Sequence, residues 1–230
     1  MKIIGFQKLT LLDYPGKTAC TVFTAGCNLR CPFCHNRDLV MPDSDIQTYS
    51  EEEIISYLTK RKGLIDGVCI TGGEPMLMKD LPEFCAKLKE IGVSVKIDTN
   101  GFFPYQLKYI VQNKLCDYVA MDIKNTFDKY PDTIGVKFAD ISKVKESIEF
   151  LKKSYIDYEF RTTVCKTFHT LDDLKEIAKF IGDGQKYFLQ SFVDSGALIG
   201  QDIEGYTPSE MSDMQKRIKI HCNGVSLRGV

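Results

Sequence analysis

The chain lacks an excess of charge of either sign. Its net charge is −1, from 30 Lys and Arg against 31 Asp and Glu. So even a balance excludes a global basic field, and with it the footprint expected of a nucleic-acid binder or of a protein held to an anionic membrane. It also lacks a long apolar run. The start, MKIIGFQKLTLLDYPGK, is interrupted by Gln7 and Lys8 before it could form a secretory core. No stretch approaches the roughly 20 apolar residues of a membrane span. Internal repeats, low-complexity tracts and a Pro/Gly/Ser linker are absent too. The expectation is one domain over residues 1–230 in a soluble cytoplasmic protein, with no nucleic-acid or membrane partner. Its core would run over about 17–200, extended by segment 1–16 and by a helix and strand within 205–230.

What is present suits a globular protein. A chain of 230 residues can bury one sizeable core, and α/β barrels are commonly of this size. The 43% hydrophobic and 27% charged content is that of a folded rather than a disordered chain. Nine cysteines in such a chain imply reduced thiols. Six of them (Cys20, Cys69, Cys85, Cys116, Cys165 and Cys222) are scattered singly, and read as small buried hydrophobes.

Strand-like runs recur at 19–24, 67–71, 93–98, 118–123, 158–164 and 186–189, with helices between them. Ser50 and Glu53 form a capping box ahead of a helix whose Lys60, Arg61 and Lys62 suit its C-terminus, with Gly63 as the stop. Asp80 with Glu83 opens a second helix that Gly92 closes. Thr170 with Asp173 opens a third, whose Leu174, Ile177, Ala178 and Ile181 make one face and which ends at Gly182. Thr207-Pro208 starts the last. Six strands alternating with helices imply parallel pairing with right-handed crossovers, in a doubly wound sheet or an incomplete barrel. In both, ligands bind at the carboxyl ends of the strands.

Those strand ends carry the chemistry. The first runs into Cys27-x3-Cys31-x2-Cys34, a spacing that lets a short loop wrap thiolates around one metal centre. Three thiolates without a fourth suit an iron–sulfur cluster with one open iron. A zinc site completed by His35 or Cys20 stays as the alternative, although His35 is adjacent to Cys34 and Cys20 lies up the strand. The second strand ends in Gly72-Gly73-Glu74-Pro75, where the glycines would let backbone groups approach a ligand and Glu74 would suit a cationic amine. A plain glycine turn is the other reading. The third ends in Asp98-Thr99-Asn100-Gly101 and the fourth carries Asp122 and Lys124 on one face. The fifth brings Arg161. These acids and bases are either site residues or structural ion pairs.

The two motifs together resemble the signature of the radical S-adenosylmethionine superfamily, from the cysteine triplet with aromatic Phe33 and from GGEP on the next strand. Within it, CPFCHN, DTNG and MDIK resemble the activating enzymes of glycyl radical enzymes, most of all the activator of the anaerobic ribonucleoside-triphosphate reductase. Pyruvate formate-lyase activating enzyme is the neighbouring possibility. A radical enzyme acting on a small molecule or peptide, and a non-catalytic iron–sulfur or zinc protein, are the rivals. After residue 170 the only cysteine is Cys222, which speaks against the additional clusters of peptide maturases.

The resemblance implies an incomplete (β/α)6 TIM-like barrel. It implies one [4Fe–4S] cluster on Cys27, Cys31 and Cys34, its fourth iron chelated by S-adenosylmethionine. Phe33 and the backbone of His35 would meet the adenine, and Gly72, Gly73 and Glu74 the methionyl amine. Asn100, Lys124 and Arg161 would be further cofactor contacts, and Asp98 another. Asp98, Thr99 and Asp122 match a monovalent-cation site. Asp13, within a DYPG that departs from the family's DGPG, would meet the substrate loop, and Val193 stands near a histidine of the formate-lyase activator. The implied chemistry is reductive cleavage to a 5′-deoxyadenosyl radical, which takes a hydrogen from a glycine Cα of the partner. Flavodoxin or ferredoxin would supply the electron.

Overall fold

In the computed structural model, which describes residues 1–194 and 196–230, all strands join one eight-stranded sheet in sequence order. They are β1 (Ile3–Thr10), β2 (Ala19–Thr24), β3 (Gly67–Gly72), β4 (Ser94–Thr99), β5 (Tyr118–Asp122), β6 (Asp157–Val164), β7 (Tyr187–Ser191) and β8 (Val225–Arg228). The helices are α1 (Arg37–Val40), α2 (Glu51–Lys60), α3 (Leu81–Glu90), α4 (Pro104–Gln112), α5 (Tyr130–Thr133), α6 (Ser142–Lys153), α7 (Leu171–Ile181) and α8 (Pro208–Ile218). A 3-10 turn at Pro75–Leu77 leads out of β3. Strands β2 to β8 pair parallel and β1 pairs antiparallel with β2. Among the described residues no pairing joins β8 back to β1, so the barrel is incomplete. None of the helices described is long and apolar enough to cross a membrane.

The six expected strands are β2 to β7, each within two residues of its expected bounds. The segments treated as extensions supply the two sheet edges: residues 3–10 lie along β2, and 225–228 along β7. The caps expected at Ser50 and Thr170 form as capping boxes, and Thr207, expected only to start the last helix, forms a third with Glu210. Asp80 is a correction. Its side chain makes no cap bond to α3 and pairs instead with the amino group of Met1. An ion pair to a free ammonium outcompetes a cap that proline at the second helical position leaves with few donors.

The pleat sorts each strand into two faces. Val68, Ile70, Val95, Ile97, Val119, Met121 and Phe160 belong to the apolar core with Leu58, Phe84, Leu107, Ile148 and Leu174 of the helices. The alternate positions, Cys69, Lys96, Asp98, Asp122, Glu159 and Arg161, stand on the opposite face, inside the barrel. Here lies a second correction. Cys69 is buried yet absent from the apolar core that holds Cys20, Cys85, Cys116, Cys165 and Cys222. Its sulfur lies 3.5 Å from the Lys96 Nζ and 3.7 Å from Asp98 Oδ1. A one-residue step along a strand exchanges faces, so an apolar run such as GVCIT does not place its cysteine among the hydrophobes.

Candidate functional site

The cysteine loop leaves β2 at its carboxyl end and is tied down from several directions. Gly26 N–H donates to Leu39 O at 2.6 Å, and Arg30 N–H to Ile134 O at 2.9 Å. Pro32 O accepts from Gly200 N–H at 2.7 Å, and Cys34 N–H closes a turn on Cys31 O at 3.0 Å. Cys31 is buried, Cys27 and Cys34 are half-buried, and all three are free thiols. Burial pushes the Cys27 thiol up to about 11, helped by the Glu74 carboxylate, and the Cys31 thiol up to about 12.

The GGEP segment docks on this loop. Gly73 N–H donates to Thr24 O at 3.0 Å and Glu74 N–H to Gly26 O at 2.8 Å. A Cβ on Gly73 would stand 1.9 Å from the Gly26 carbonyl oxygen, and one on Gly72, at φ +123°, 2.4 Å from Thr24 N. The glycines therefore bring one strand end against the other, and those two N–H groups are not free for a ligand as the sequence suggested. Glu74 is 1% exposed and accepts from Met76 N–H (3.1 Å), Thr99 Oγ1 (2.8 Å) and Asn100 N–H (2.7 Å). Burial nonetheless outweighs these bonds and pushes its carboxyl up to about 7. Asn100 in turn donates to Asn28 Oδ1 at 2.8 Å, across to the cysteine loop.

Below the loops, the interior positions of β4, β5 and β6 form an alternating ladder of charge. Lys96 pairs with Asp98 Oδ1, and Arg161 Nη1 lies 3.1 Å from Asp98 Oδ2. Arg161 Nε lies 2.8 Å from Asp122 Oδ1, and Lys124 Nζ 3.0 Å from Asp122 Oδ2. Burial opposes charge on every member, yet the neighbours prevail. Arg161 and Lys96 hold Asp98 below the usual carboxylate range, and Arg161 with Lys124 does the same for Asp122. Asp122 keeps Lys124 well above its ordinary value. Three cations face two carboxylates, so the ladder suits an added anion. Its four carboxylate oxygens all have protein cations, and Thr99 Oγ1 is held by Glu74. A monovalent cation at Asp98, Thr99 and Asp122 would have to displace an ammonium or guanidinium.

These groups open onto one cavity of about 380 Å³ at the carboxyl ends of the strands, a volume typical of a small-molecule site. Every sequence-selected residue lines it: the three cysteines, Phe33, His35, Gly72, Gly73, Glu74, Asp98, Thr99, Asn100, Asp122, Lys124, Arg161 and Asp13. Phe33 packs on Phe168 at 5.6 Å, and His35 stacks on Phe192 at 5.2 Å. Asp13 comes from the amino-terminal side of β2, opposite the cysteines, where it accepts from Thr21 Oγ1 at 2.5 Å. The sequence reading missed Thr21, Phe23, Thr71, Thr163 and Gln190 on the cavity wall, and Lys96 in the ladder. The two-residue period signals two of them, since Thr163 follows Arg161 and Lys96 precedes Asp98 on the same face.

The donor set fits an iron–sulfur cluster better than zinc. Cys20 packs in the core outside the barrel, which removes it as a fourth ligand. Among the described residues no group of three or more His, Cys, Asp and Glu converges on a single metal ion. A cluster instead takes one thiolate on each of several irons, and its charge would draw off the protons that burial now retains.

The chain matches the family model described as Radical SAM superfamily over residues 21–181. It is 33% identical, over 99% of its length and 96% of the relative's, to a Methanocaldococcus jannaschii protein named as a glycyl-radical enzyme activating enzyme. It is 33% identical to the Staphylococcus aureus pyruvate formate-lyase-activating enzyme, over 52% of this chain and 51% of that one. In fold it is similar to Streptococcus suis SuiB bound to the precursor peptide SuiA, with a TM-score of 0.70 and 14% identity. That superposition covers 91% of this chain and 48% of SuiB.

Proposed function

Because the chain belongs to the radical SAM superfamily, in the branch of the glycyl-radical enzyme activating enzymes, we propose that it installs the glycyl radical of a partner enzyme, the anaerobic ribonucleoside-triphosphate reductase. It is a radical SAM enzyme, and the cofactors of that superfamily are a [4Fe–4S] cluster and S-adenosylmethionine. When bound, they supply the one-electron cleavage that makes the hydrogen-abstracting 5′-deoxyadenosyl group; the chain supplies binding, orientation and exclusion of water. The carrying observation is that residues from six consecutive strands, β2 to β7, and the loops that follow them line one cavity.

In this reading Cys27, Cys31 and Cys34 hold the cluster. Glu74 and the carbonyls around Gly72 and Gly73 receive the methionyl ammonium. A cation is the one ligand that makes the Glu74 proton dispensable. Lys124 and Arg161, at the cation-rich side of the ladder, receive the methionyl carboxylate. Phe33 and the backbone of His35 flank the adenine, with Asn100 bracing the cysteine loop through Asn28. Asp13, at the far end of the cavity, faces the entering glycine loop. The electron comes from a flavodoxin or ferredoxin.

Anaerobic reconstitution followed by reduction with S-adenosylmethionine tests the cofactor chemistry. Wild type should bind about four irons per chain and release 5′-deoxyadenosine, and Cys31→Ala should lose both. Wild type without 5′-deoxyadenosine overturns the reading. Co-incubation with the reductase should give a glycyl doublet in electron paramagnetic resonance. A doublet on pyruvate formate-lyase instead selects the partner favoured by the Staphylococcus aureus relative. Turnover of a small molecule with no protein partner removes the activator role.

A further inference from the structure

His169 lies outside the cavity, yet it holds two residues of its rim. The ring is fully buried, in the turn between β6 and α7. Its Nε2 is 2.7 Å from the carbonyl oxygen of Lys124. On the other side Cys165 N–H points at Nδ1 at 3.3 Å, with Cys165 O also at 3.3 Å and the Cys165 sulfur at 3.7 Å. A carbonyl can only accept, so the proton sits on Nε2, and Nδ1 receives the Cys165 amide. Burial lowers the ring's affinity for a second proton, which keeps this neutral form.

The position of Lys124 explains why this bond matters. The sheet ends one residue earlier, where Ile123 N–H donates to Arg161 O at 2.8 Å and Ile123 O accepts from Thr162 Oγ1 at 2.8 Å. Among the described residues the Lys124 backbone has no strand partner. Its N–H donates to the Tyr130 hydroxyl at 3.1 Å, and its C=O accepts from His169. Two side chains therefore do there what a neighbouring strand does elsewhere. The same imidazole meets Phe33 of the cysteine loop edge-on, with ring centroids 6.3 Å apart at 71°. His169 is itself anchored by Tyr206, whose hydroxyl donates to its carbonyl at 2.6 Å.

We propose that His169 is a positioning residue, a neutral Nε2–H donor that sets the Lys124 backbone, and Phe33 beside it, so that the Lys124 ammonium reaches from Asp122 to the carboxylate of bound S-adenosylmethionine. This rests on the reading of the cavity given above. A buried histidine of purely structural use would affect melting alone. A positioning residue affects affinity for the ligand that Lys124 holds.

The test uses the reconstituted holoenzyme and His169→Phe, which keeps the ring and its packing but removes the donor. It also uses His169→Gln, whose amide N–H can restore the bond. The readouts are iron per chain, melting temperature, the anaerobic dissociation constant for S-adenosylmethionine, and the change this ligand causes in the electron paramagnetic resonance of the reduced cluster. The expectation for His169→Phe is wild-type iron content with affinity weakened about tenfold, and for His169→Gln recovery to within about threefold. The spectral change should weaken in parallel at fixed ligand. Affinity within about twofold of wild type in His169→Phe, with only the melting temperature lowered, overturns the proposal. If His169→Phe does not fold, His169→Asn decides against His169→Gln, since its shorter amide cannot span to the Lys124 carbonyl: affinity weakened in His169→Asn alone supports the proposal, equal affinity in the two overturns it. A wild-type holoenzyme that binds no S-adenosylmethionine overturns the cavity's assignment, and the positioning role with it.

Discussion

Glu74 is a carboxylate with three hydrogen-bond donors that burial still holds near neutrality. At 1% exposure it loses more hydration than three bonds return. The folded chain binds this proton more tightly than the unfolded chain, whose value is 4.5. The resulting stabilisation is complete below that value and disappears as pH rises through about 7. Glu74→Gln is nearly isosteric and lacks the titration. In the metal-free, reduced protein, wild type should therefore lose stability relative to Glu74→Gln between pH 5 and pH 8, by an amount on the order of 3 kcal/mol. Urea unfolding across that range checks it; a difference between the two proteins that does not vary with pH contradicts the argument. The position of Glu74 was legible in GGEP. Its environment was not, because Thr99 and Asn100 reach it from another strand.

Among the elements, β2 and β3 are held at closest approach by glycines, and this makes the cysteine loop a rigid mount. Gly73→Ala would drive a methyl group onto the Gly26 carbonyl, where only backbone could yield. Overpacking of that kind costs roughly 3 kcal/mol or more, and it displaces the loop that holds Cys27. Gly63→Ala is the control, since its φ of +83° is strained but no atom of the other described residues would lie within 4 Å of the added Cβ; it should cost about 1 kcal/mol. Melting temperature and iron uptake on reconstitution separate the two, and Gly73→Ala as mild as Gly63→Ala would defeat the argument. The element order itself was readable because β-branched runs and the helix starts at Ser50, Thr170 and Thr207 are local signals. Asp80 shows the limit: it stands where α3 opens, as its spacing to Glu83 suggested, yet a distant amino group took its carboxylate. The edge strands left little trace, since β1 mixes Gln7 and Lys8 into its outer half and β8 is four residues long.

Across the whole molecule the barrel is lined by charge where parallel barrels ordinarily stack branched apolar side chains. The column continues past the ladder to Glu159, whose carboxylate adds to the field on Arg161. Glu159 is 1% exposed and accepts from Tyr118 Oη at 2.9 Å and from both Nη atoms of Arg228, at 2.7 and 3.1 Å. Arg228 also lies over the Phe188 ring at 4.0 Å, so strand β8 closes one edge of the sheet by completing an ion pair inside it. A buried carboxylate stripped of its guanidinium is costly, whereas a neutral pair in the same place is not. Arg228→Met should then destabilise the protein by roughly 2–4 kcal/mol, somewhat below a fully buried pair because the guanidinium is partly exposed. Glu159→Gln combined with Arg228→Met should recover most of that loss, because the unpaired charge is gone and Tyr118 still has an acceptor. Urea unfolding of the two single variants and the double variant gives the coupling. Simple additivity of the two losses would show that β8 is held by its backbone pairing to β7 rather than by the ion pair. Cluster loading should stay at wild-type level in all three, since the cysteine loop hangs from the opposite end of the strands.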